Sequence, residues 1–133
     1  SGHPASCAAG LATLDIYRNT GIIESTATDL APHFARRVKE LESHPLVGQV
    51  RVLGMFAAAE LVKDKGSRER LAPDSAGAVY CRDRAIEDGL MVRQTGDAMI
   101  MAPPFVTTPA EIDTLFEKLA IALDKTAAHY HVA

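Results

Sequence analysis

Hydrophobic residues recur at helical spacing in two stretches of the chain. The first repeats at intervals of four, four and three residues: Leu30, Phe34, Val38 and Leu41. This spacing predicts a helix over about residues 22–43 with one apolar face. The second begins at Thr108, where Pro109 and Glu111 complete the pattern of a capping box with proline at the first helical position. It predicts a last helix that frays from about Lys125.

Two further helices are predicted from small residues and turn signals. A helix that starts at Pro4 and ends at Gly21 is rich in alanine, which implies close packing against other backbone on several sides. A domain of this size has little with which to cover such a helix, so we expect it to lie between this domain and another one. Asp74 or Ser75 is a candidate cap for another helix, which Gly89 ends.

The middle of the chain carries the pattern of strands. Val50 and Val52 alternate with polar residues, which predicts a half-buried strand. Gly54 interrupts this run and indicates a bulge or a close backbone approach, after which residues 55–62 continue as a more buried strand. The charged residues 63–73 that follow predict a mobile surface loop.

Residues 89–106 hold the clearest candidate for chemistry. Two apolar runs, residues 90–92 and 98–102, flank a polar connector and predict a β-hairpin. Arg93 then lies where a buried strand gives way to a loop, a usual place for a binding side chain on a rigid frame. Its planar guanidinium matches a carboxylate or a phosphate. The structural alternative is an ion pair of Arg93 with Asp97 or a glutamate.

The order of these elements predicts the fold class. Helix, helix, strand, strand, helix, strand, strand and helix follow one another over the 133 residues, a length that suits one domain. Adjacent strand pairs favour an α+β fold, with a small, mostly antiparallel sheet of three to four strands and helices packed on one face.

Composition excludes several classes of partner. The net charge of -3 leaves no basic footprint for nucleic acid, and no apolar run approaches the ~20 residues that span a membrane. Cys7 and Cys81 lack metal-ligand spacing and are expected to be reduced thiols in the core of a cytoplasmic protein. His129 and His131 lack further ligands, so no metal site is expected. The start at Ser1 indicates the C-terminal part of something longer.

Three segments resemble the class III aminotransferases, which are pyridoxal-phosphate enzymes of fold type I. The opening SGHPASCAAGLATLDI resembles the start of that family's C-terminal domain. VRVLGMFAAAELV resembles the family's strand pair, with Ala58 where glycine is usual. GLMVRQTGDAMIMAPPFVTTPAEIDTLFEKLAIALD resembles the family's end, notably in the ω-amino acid:pyruvate branch. The segments follow the family's order and span residues 1 to about 125.

The resemblance implies an enzyme in two parts. Residues 1–133 correspond to the small C-terminal domain, and residues 1–21 to the helix that links it to the absent large domain. In the family, the large domain supplies the lysine that holds the cofactor and the aspartate that pairs with the pyridinium nitrogen. The lysines of this chain match no such motif. We therefore expect the chain neither to hold pyridoxal 5'-phosphate covalently nor to catalyse on its own.

Site residues are carried over from the same resemblance. Arg93 matches the arginine that pairs with the substrate carboxylate and swings away when a bulky uncharged amine occupies the pocket. Ser1 and Gly2 lie beside the cofactor's phosphate site on the neighbouring subunit of a homodimer. The expected substrates are an amine or ω-amino acid and a keto acid such as pyruvate.

Three hypotheses remain open. The first is that the chain is the substrate-recognition domain of an aminotransferase, and the second is that it is a free-standing small α+β module that binds a carboxylate metabolite and regulates a partner. The third is a proteolysed enzyme whose other part was lost. The domain hypothesis predicts an exposed apolar first helix, because the natural cover of that helix is missing.

Overall fold

The computed structural model describes residues 2–132, and its centre is an antiparallel β-sheet. The strands are β1 (Val47–Leu53), β2 (Phe56–Asp64), β3 (Glu69–Arg70), β4 (Arg93–Thr95) and β5 (Ala98–Met101). Their order is β1-β2-β5-β4, and β3 pairs with the far end of β2. All these pairs are antiparallel. The α+β class is confirmed, and the sheet of these residues has 5 strands instead of the three to four expected.

The helices lie in the stretches where the apolar stripes, the small residues and the turn signals predict them. They are α1 (Pro4–Thr20), α2 (Ile22–Ser25), α3 (Ala31–Glu40), α4 (Ala76–Glu87) and α5 (Pro109–Tyr130). A π-helical turn, Thr26–Leu30, joins α2 to α3, and the backbone N–H of Ala31 donates to the carbonyl of Thr26 across it. Pro32 has no N–H for the usual helical hydrogen bond, which gives the wider turn a local cause.

The hydrophobic core lies between one face of the sheet and α3, α4 and α5. Alternate residues of β2 and β5 enter it: Ala57, Ala59, Leu61, Met99 and Met101. Phe34 of α3 is fully buried, and its ring lies 5.7 Å from that of Phe116 in α5. The apolar stripe predicted around Phe34 is buried along its whole length, so the helices do pack on one face of the sheet.

The opposite face of the sheet carries a row of four residues, one from each strand of the main sheet. Arg51 pairs with Ala58, Ala58 with Ile100, and Ile100 with Arg93. Cross-strand partners point to the same face. Arg51 and Arg93 therefore stand at opposite ends of one row, with two apolar side chains between them.

The predicted β4–β5 hairpin exists, but its first strand starts later than expected. The backbone N–H of Leu90 donates to the carbonyl of Ala85 at 2.8 Å, so Leu90 closes the end of α4 instead of joining the sheet. Gly96, with a φ of 56°, and Asp97 form the two-residue turn. Arg93 thus begins a strand and does not follow one.

Two predictions for the middle of the chain are wrong. Gly54 has a φ of 57° and lies in a tight turn between the paired residues Leu53 and Phe56, so it closes a hairpin and forms no bulge. No close backbone approach is found among the described residues either, because nothing lies within 4 Å of the place where a Cβ would be. The expected loop over residues 63–73 contains the rest of β2 and all of β3. The carboxylate of Asp64 organises the turn between them by accepting a hydrogen bond from the backbone N–H of Ser67 at 2.7 Å.

The boundaries of two helices also differ from expectation. Asp74 and Ser75 both have left-handed backbone, and Ser75 precedes α4 without a side-chain cap. At the other end of the chain, α5 continues beyond Lys125 to Tyr130. The ring of His129 stacks on that of Tyr80 with centroids 4.2 Å apart, which gives this last turn a packing partner.

Helix α1 stands apart from the core. None of its residues is buried, and four large hydrophobic side chains are exposed: Leu11, Leu14, Ile16 and Tyr17. Tyr17 makes a contact with the segment after β5, its ring lying 6.4 Å from that of Phe105. The small residues of α1 therefore have no close-packed cover among residues 2–132, as the domain hypothesis predicts.

Thr108 caps α5 as expected. Its hydroxyl accepts from the backbone N–H of Glu111 at 3.3 Å, and the Glu111 carboxylate accepts from the backbone N–H of Thr108 at 2.7 Å. We expect Thr108→Ala to lower the free energy of unfolding by about 1 kcal/mol, measured by urea denaturation of residues 1–133. Thr107→Ala removes a threonine outside the cap and should cost under about 0.5 kcal/mol. Equal losses would contradict the capping role.

The same cap makes part of the stability depend on pH. Hydrogen bonds from the backbone and then the side chain of Thr108 lower the pKa of Glu111 below its ordinary value of 4.5. A carboxylate whose pKa is lower in the folded state stabilises the fold above its unfolded pKa. This contribution is complete above about pH 4.5 and is lost as the pH falls through the lowered pKa of Glu111.

Candidate functional site

An open-sided cleft of about 820 Å³ lies between the β4–β5 hairpin and the first turns of α5. We call it the Arg93 cleft. Its walls are mostly apolar and include Phe56, Leu90, Ile100 and Leu115. Apolar walls with a few polar groups are the usual composition of a small-molecule site. Three charged residues line the cleft: Arg93, Glu111 and Lys118.

Two of these three charges already have partners within the fold. The Glu111 carboxylate is held in the cap of α5 by the backbone and hydroxyl of Thr108. The Lys118 amino group donates to the backbone carbonyl of Asp88 at 2.9 Å. That carbonyl lies at the end of α4, where a cation compensates the free carbonyl groups of the helix. Glu111 repels an anion, and one of the three N–H donors of Lys118 is already used.

Arg93 differs from both. Among residues 2–132 its guanidinium makes no hydrogen bond and no ion pair, and its side chain is exposed at the cleft. Its backbone is fixed, because β4 pairs with β5 and places Arg93 opposite Ile100. A fixed backbone with an unpaired planar cation is suited to receive a carboxylate in a two-point contact.

The structural alternative for Arg93 is an ion pair with Asp97 or a glutamate, and among residues 2–132 Arg93 pairs with neither. The Asp97 carboxylate accepts a hydrogen bond from Nε of Arg70 at 2.7 Å. That hydrogen bond and the charge of Asp97 raise the pKa of the Arg70 guanidinium. A second nitrogen of Arg70 donates to the hydroxyl of Ser75 at 3.3 Å. Arg70 thus joins β3, the start of α4 and the turn of the β4–β5 hairpin.

The sequence does not single out Arg70, because the charged residues 63–73 predict a loop. A usable signal exists: the strand that ends at Asp64 is followed by a turn containing Gly66, which is typical of a hairpin. A hairpin would have placed Arg70 in a strand beside β2. Its pairing with Asp97 depends on the order of strands across the sheet, and local sequence does not encode that order.

The lysines do not fit a cofactor held through an amine. Lys39, Lys63, Lys65 and Lys125 are exposed and Lys118 is half-buried. Lys63 pairs with Glu69, Lys125 with Asp88, and Lys65 donates to the carbonyl of Glu42. A lysine that forms a covalent link to a cofactor needs a free amine in a protected site. The described residues supply none.

The other predicted site residues add no chemistry. Ser1 lies outside the described residues, and Gly2 is exposed with a φ of 79° and open space around its α-carbon.

Within residues 2–132 no three metal-binding side chains come together. Cys7 is exposed on α1, contrary to the expected core thiol, while burial raises the pKa of the Cys81 thiol to about 11. In the same described part, no helix is long and apolar enough to cross a membrane.

Comparison with known proteins identifies the family to which the chain belongs. The family model of the class-III aminotransferases matches residues 1–123. Because this match covers most of the chain, the chain belongs to the class III aminotransferases.

Particular relatives are similar over nearly the whole chain. A putrescine–pyruvate aminotransferase of Pseudomonas aeruginosa is 44% identical over 128 residues, which cover 96% of this chain and 28% of that protein. Gamma aminobutyrate transaminase 1 of Solanum lycopersicum is 32% identical over 126 residues, covering 95% of this chain and 24% of the relative. The chain therefore spans about a quarter of the length of these relatives.

Solved structures give the same result for the fold. The omega-transferase of Vibrio fluvialis JS17 has a TM-score of 0.91 and 35% identity, covering 100% of this chain and 32% of that one. The omega transaminase of Pseudomonas jessenii in complex with PMP also has a TM-score of 0.91, at 31% identity, covering 99% and 29%.

Proposed function

We propose that this chain is the substrate-recognition domain of a pyridoxal-phosphate-dependent aminotransferase. The whole enzyme transfers an amino group between an amine or ω-amino acid and a keto acid such as pyruvate. Membership of the class III family and the similarity to amine:pyruvate and ω-type relatives support this proposal. The observation that carries it is the unpaired Arg93 guanidinium at the mouth of an apolar cleft.

Arg93 binds and orients the substrate through its carboxylate. The two parallel N–H groups of the guanidinium hold both carboxylate oxygens, which fixes the direction in which the rest of the substrate points. The apolar walls formed by Ile100 and Leu115 exclude water and accept the hydrocarbon part of the molecule. Because Arg93 has no partner among residues 2–132, it can also swing towards solvent when an uncharged amine enters.

The chemical step belongs to the rest of the enzyme. When bound there, pyridoxal phosphate supplies the electron sink that amino transfer requires. The described residues offer no amine to hold it, so residues 2–132 bind and orient substrate and carry out no transfer themselves. This division of roles agrees with a chain that spans 28% of its putrescine–pyruvate relative.

Helix α1 connects the chain to the remainder of the protein in this proposal. Its exposed side chains Leu11, Leu14 and Ile16 would be covered by the large domain. The uncovered helix favours this arrangement over a free-standing regulatory module, which would need to leave the same apolar surface in water. A homodimer in which Ser1 and Gly2 lie near the neighbouring subunit's phosphate site rests on the family resemblance alone.

The proposed function is tested with the whole enzyme of which this chain is part. Supplied with pyridoxal phosphate, pyruvate and either putrescine or β-alanine, it should form alanine in proportion to the amine consumed. Residues 1–133 alone should form none and should show no saturable absorbance of a lysine-bound cofactor. Lack of alanine with every amine tried, or a lysine-bound cofactor on residues 1–133, would overturn the proposal.

A further inference from the structure

The strongest competitor for Arg93 is an acidic residue of its own hairpin. Asp97 lies in the turn, and Arg93 is the first residue of the three-residue strand β4 that leads to it. From Arg93 to Thr95, the last residue before the turn, the strand advances only about 7 Å. The extended side chain of an arginine is about as long as this advance, so an Asp97 carboxylate without a partner would compete for Arg93. In the structure the Asp97 carboxylate is bound by Arg70, and Arg93 makes no ion pair among residues 2–132.

We propose that Arg70 is a positioning residue that engages Asp97 and thereby leaves Arg93 free for the substrate carboxylate. The proposal rests on the proposed function, since it assumes that Arg93 binds substrate. It assigns Arg70 and Asp97 a role in carboxylate affinity although neither lines the Arg93 cleft.

Both members of the Arg70–Asp97 pair are fixed to neighbouring residues of β2. Arg70 is opposite Val62 in the pairing of β3 with β2. The backbone carbonyl of Asp97 accepts from the N–H of Leu61 at 2.8 Å. Because Leu61 and Val62 are adjacent, β2 sets the separation of the two side chains. Their contact is therefore built into the sheet and does not depend on a flexible loop.

Exposure of the two side chains matches this role. The Asp97 side chain is 21% exposed, whereas that of Arg70 is 60% exposed. The Asp97 carboxylate is thus the more enclosed partner. Without Arg70 it would be a partly enclosed anion with no partner, which is unfavourable, so a contact with another cation would be favoured. Arg93 is the candidate on the same hairpin. The second hydrogen bond of Arg70, to Ser75, keeps the guanidinium directed at the turn.

The expected effect is moderate, because partly exposed ion pairs are weak. In the whole enzyme, Arg70→Ala should raise the dissociation constant of butyrate, an unreactive carboxylate, by about 3- to 5-fold. Butyrate binding is measured by calorimetry or as competitive inhibition against pyruvate. The KM for pyruvate should rise by the same factor, while kcat for a monoamine without a carboxylate should stay unchanged.

A second substitution separates this role from simple loss of fold. In the variant Arg70→Ala with Asp97→Asn, the competing charge is removed, so butyrate affinity should return to within about 2-fold of the wild type. Arg68→Ala is the matched control, because Arg68 precedes β3 and pairs with Glu60 instead of Asp97. The proposal is wrong if Arg68→Ala weakens butyrate as much as Arg70→Ala, or if the double variant stays weak.

Arg93→Ala distinguishes failure of this proposal from failure of the proposed function. If Arg93→Ala leaves butyrate affinity unchanged, the carboxylate site itself is wrongly placed. If Arg93→Ala abolishes binding but Arg70→Ala has no effect, only the positioning role of Arg70 fails. The positive result is that Arg93→Ala and Arg70→Ala both weaken butyrate binding, and that Asp97→Asn restores it in the Arg70→Ala variant but not in the Arg93→Ala variant.

Discussion

Arg93→Ala in the whole enzyme is expected to lower kcat/KM for β-alanine and for pyruvate by about 30-fold or more. Truncating one partner of an enclosed, hydrogen-bonded charge pair costs about 2–5 kcal/mol, and about 1.4 kcal/mol corresponds to a factor of ten. The half-reaction with a monoamine such as butylamine should change by less than about 3-fold, because that substrate has no carboxylate. Single-turnover kinetics of each half-reaction measure the two effects separately.

Arg51→Ala is the matched control for this experiment. Arg51 stands at the other end of the same cross-sheet row as Arg93, so its loss removes an equal charge from the same face. It lies outside the Arg93 cleft and should leave kcat/KM for both carboxylates within about 2-fold of the wild type. A similar loss with both variants, or an equal loss with butylamine, would contradict a specific contact between Arg93 and the carboxylate.

Phe34→Ala is expected to remove about 3–5 kcal/mol from the free energy of unfolding of residues 1–133. Phe34 is fully buried, and its ring packs against Phe116 between α3 and α5. The substitution leaves a cavity that these helices cannot close without moving. Since a domain of this size is stable by only about 5–15 kcal/mol, the variant should unfold at a much lower urea concentration.

Phe56→Ala provides the control with the same change in side chain. Phe56 is 57% exposed and lies at the start of β2. Its loss should cost less than about 1 kcal/mol in residues 1–133, because little of the ring is removed from water there. Equal destabilisation by the two substitutions would show that the core is not centred on the contact between Phe34 and Phe116.

Helices were predictable because their signals are local. The stripe through Phe34 and Val38 has the period of a helix and is buried over its whole length. The capping box at Thr108 specifies both its own hydrogen bonds and the start of α5. In each case the residues that determine the structure lie within a few positions of one another.

The boundaries that sequence missed depend on partners distant in the chain. Residues 90–92 have the apolar character of a strand, yet Leu90 donates to Ala85 and closes a helix. Glu69 and Arg70 have a charged, loop-like sequence, yet they find main-chain partners in β2. In both places the position of the neighbouring element, α4 for Leu90 and β2 for Arg70, overrides the local secondary-structure propensity.

The candidate site was predictable in part. The hairpin pattern predicts Arg93 as a binding residue, and the structure adds that Arg93 is unpaired among residues 2–132 and lies at a cleft. Its carboxylate-binding role stays a prediction. The ion-pair partner of Asp97 could not be predicted, because Arg70 is 27 residues away in the chain and comes close to Asp97 only in the folded sheet.

Two lysines of α5 bind Asp88 at the end of α4, close in sequence to the strand that carries Arg93. Lys118 and Lys125, both from α5, hold the carbonyl and carboxylate of Asp88, and the chain passes from there through Leu90 into the strand that starts with Arg93. Strand β4 is short and lies at the edge of the sheet, with one neighbouring strand. Its direction therefore depends in part on how α4 and α5 hold the residues that precede it. Lys125 lies outside the Arg93 cleft, whereas Lys118 lines it. Substitution of Lys125 is therefore a way to alter the support of the strand that carries Arg93 without changing a residue of the cleft wall.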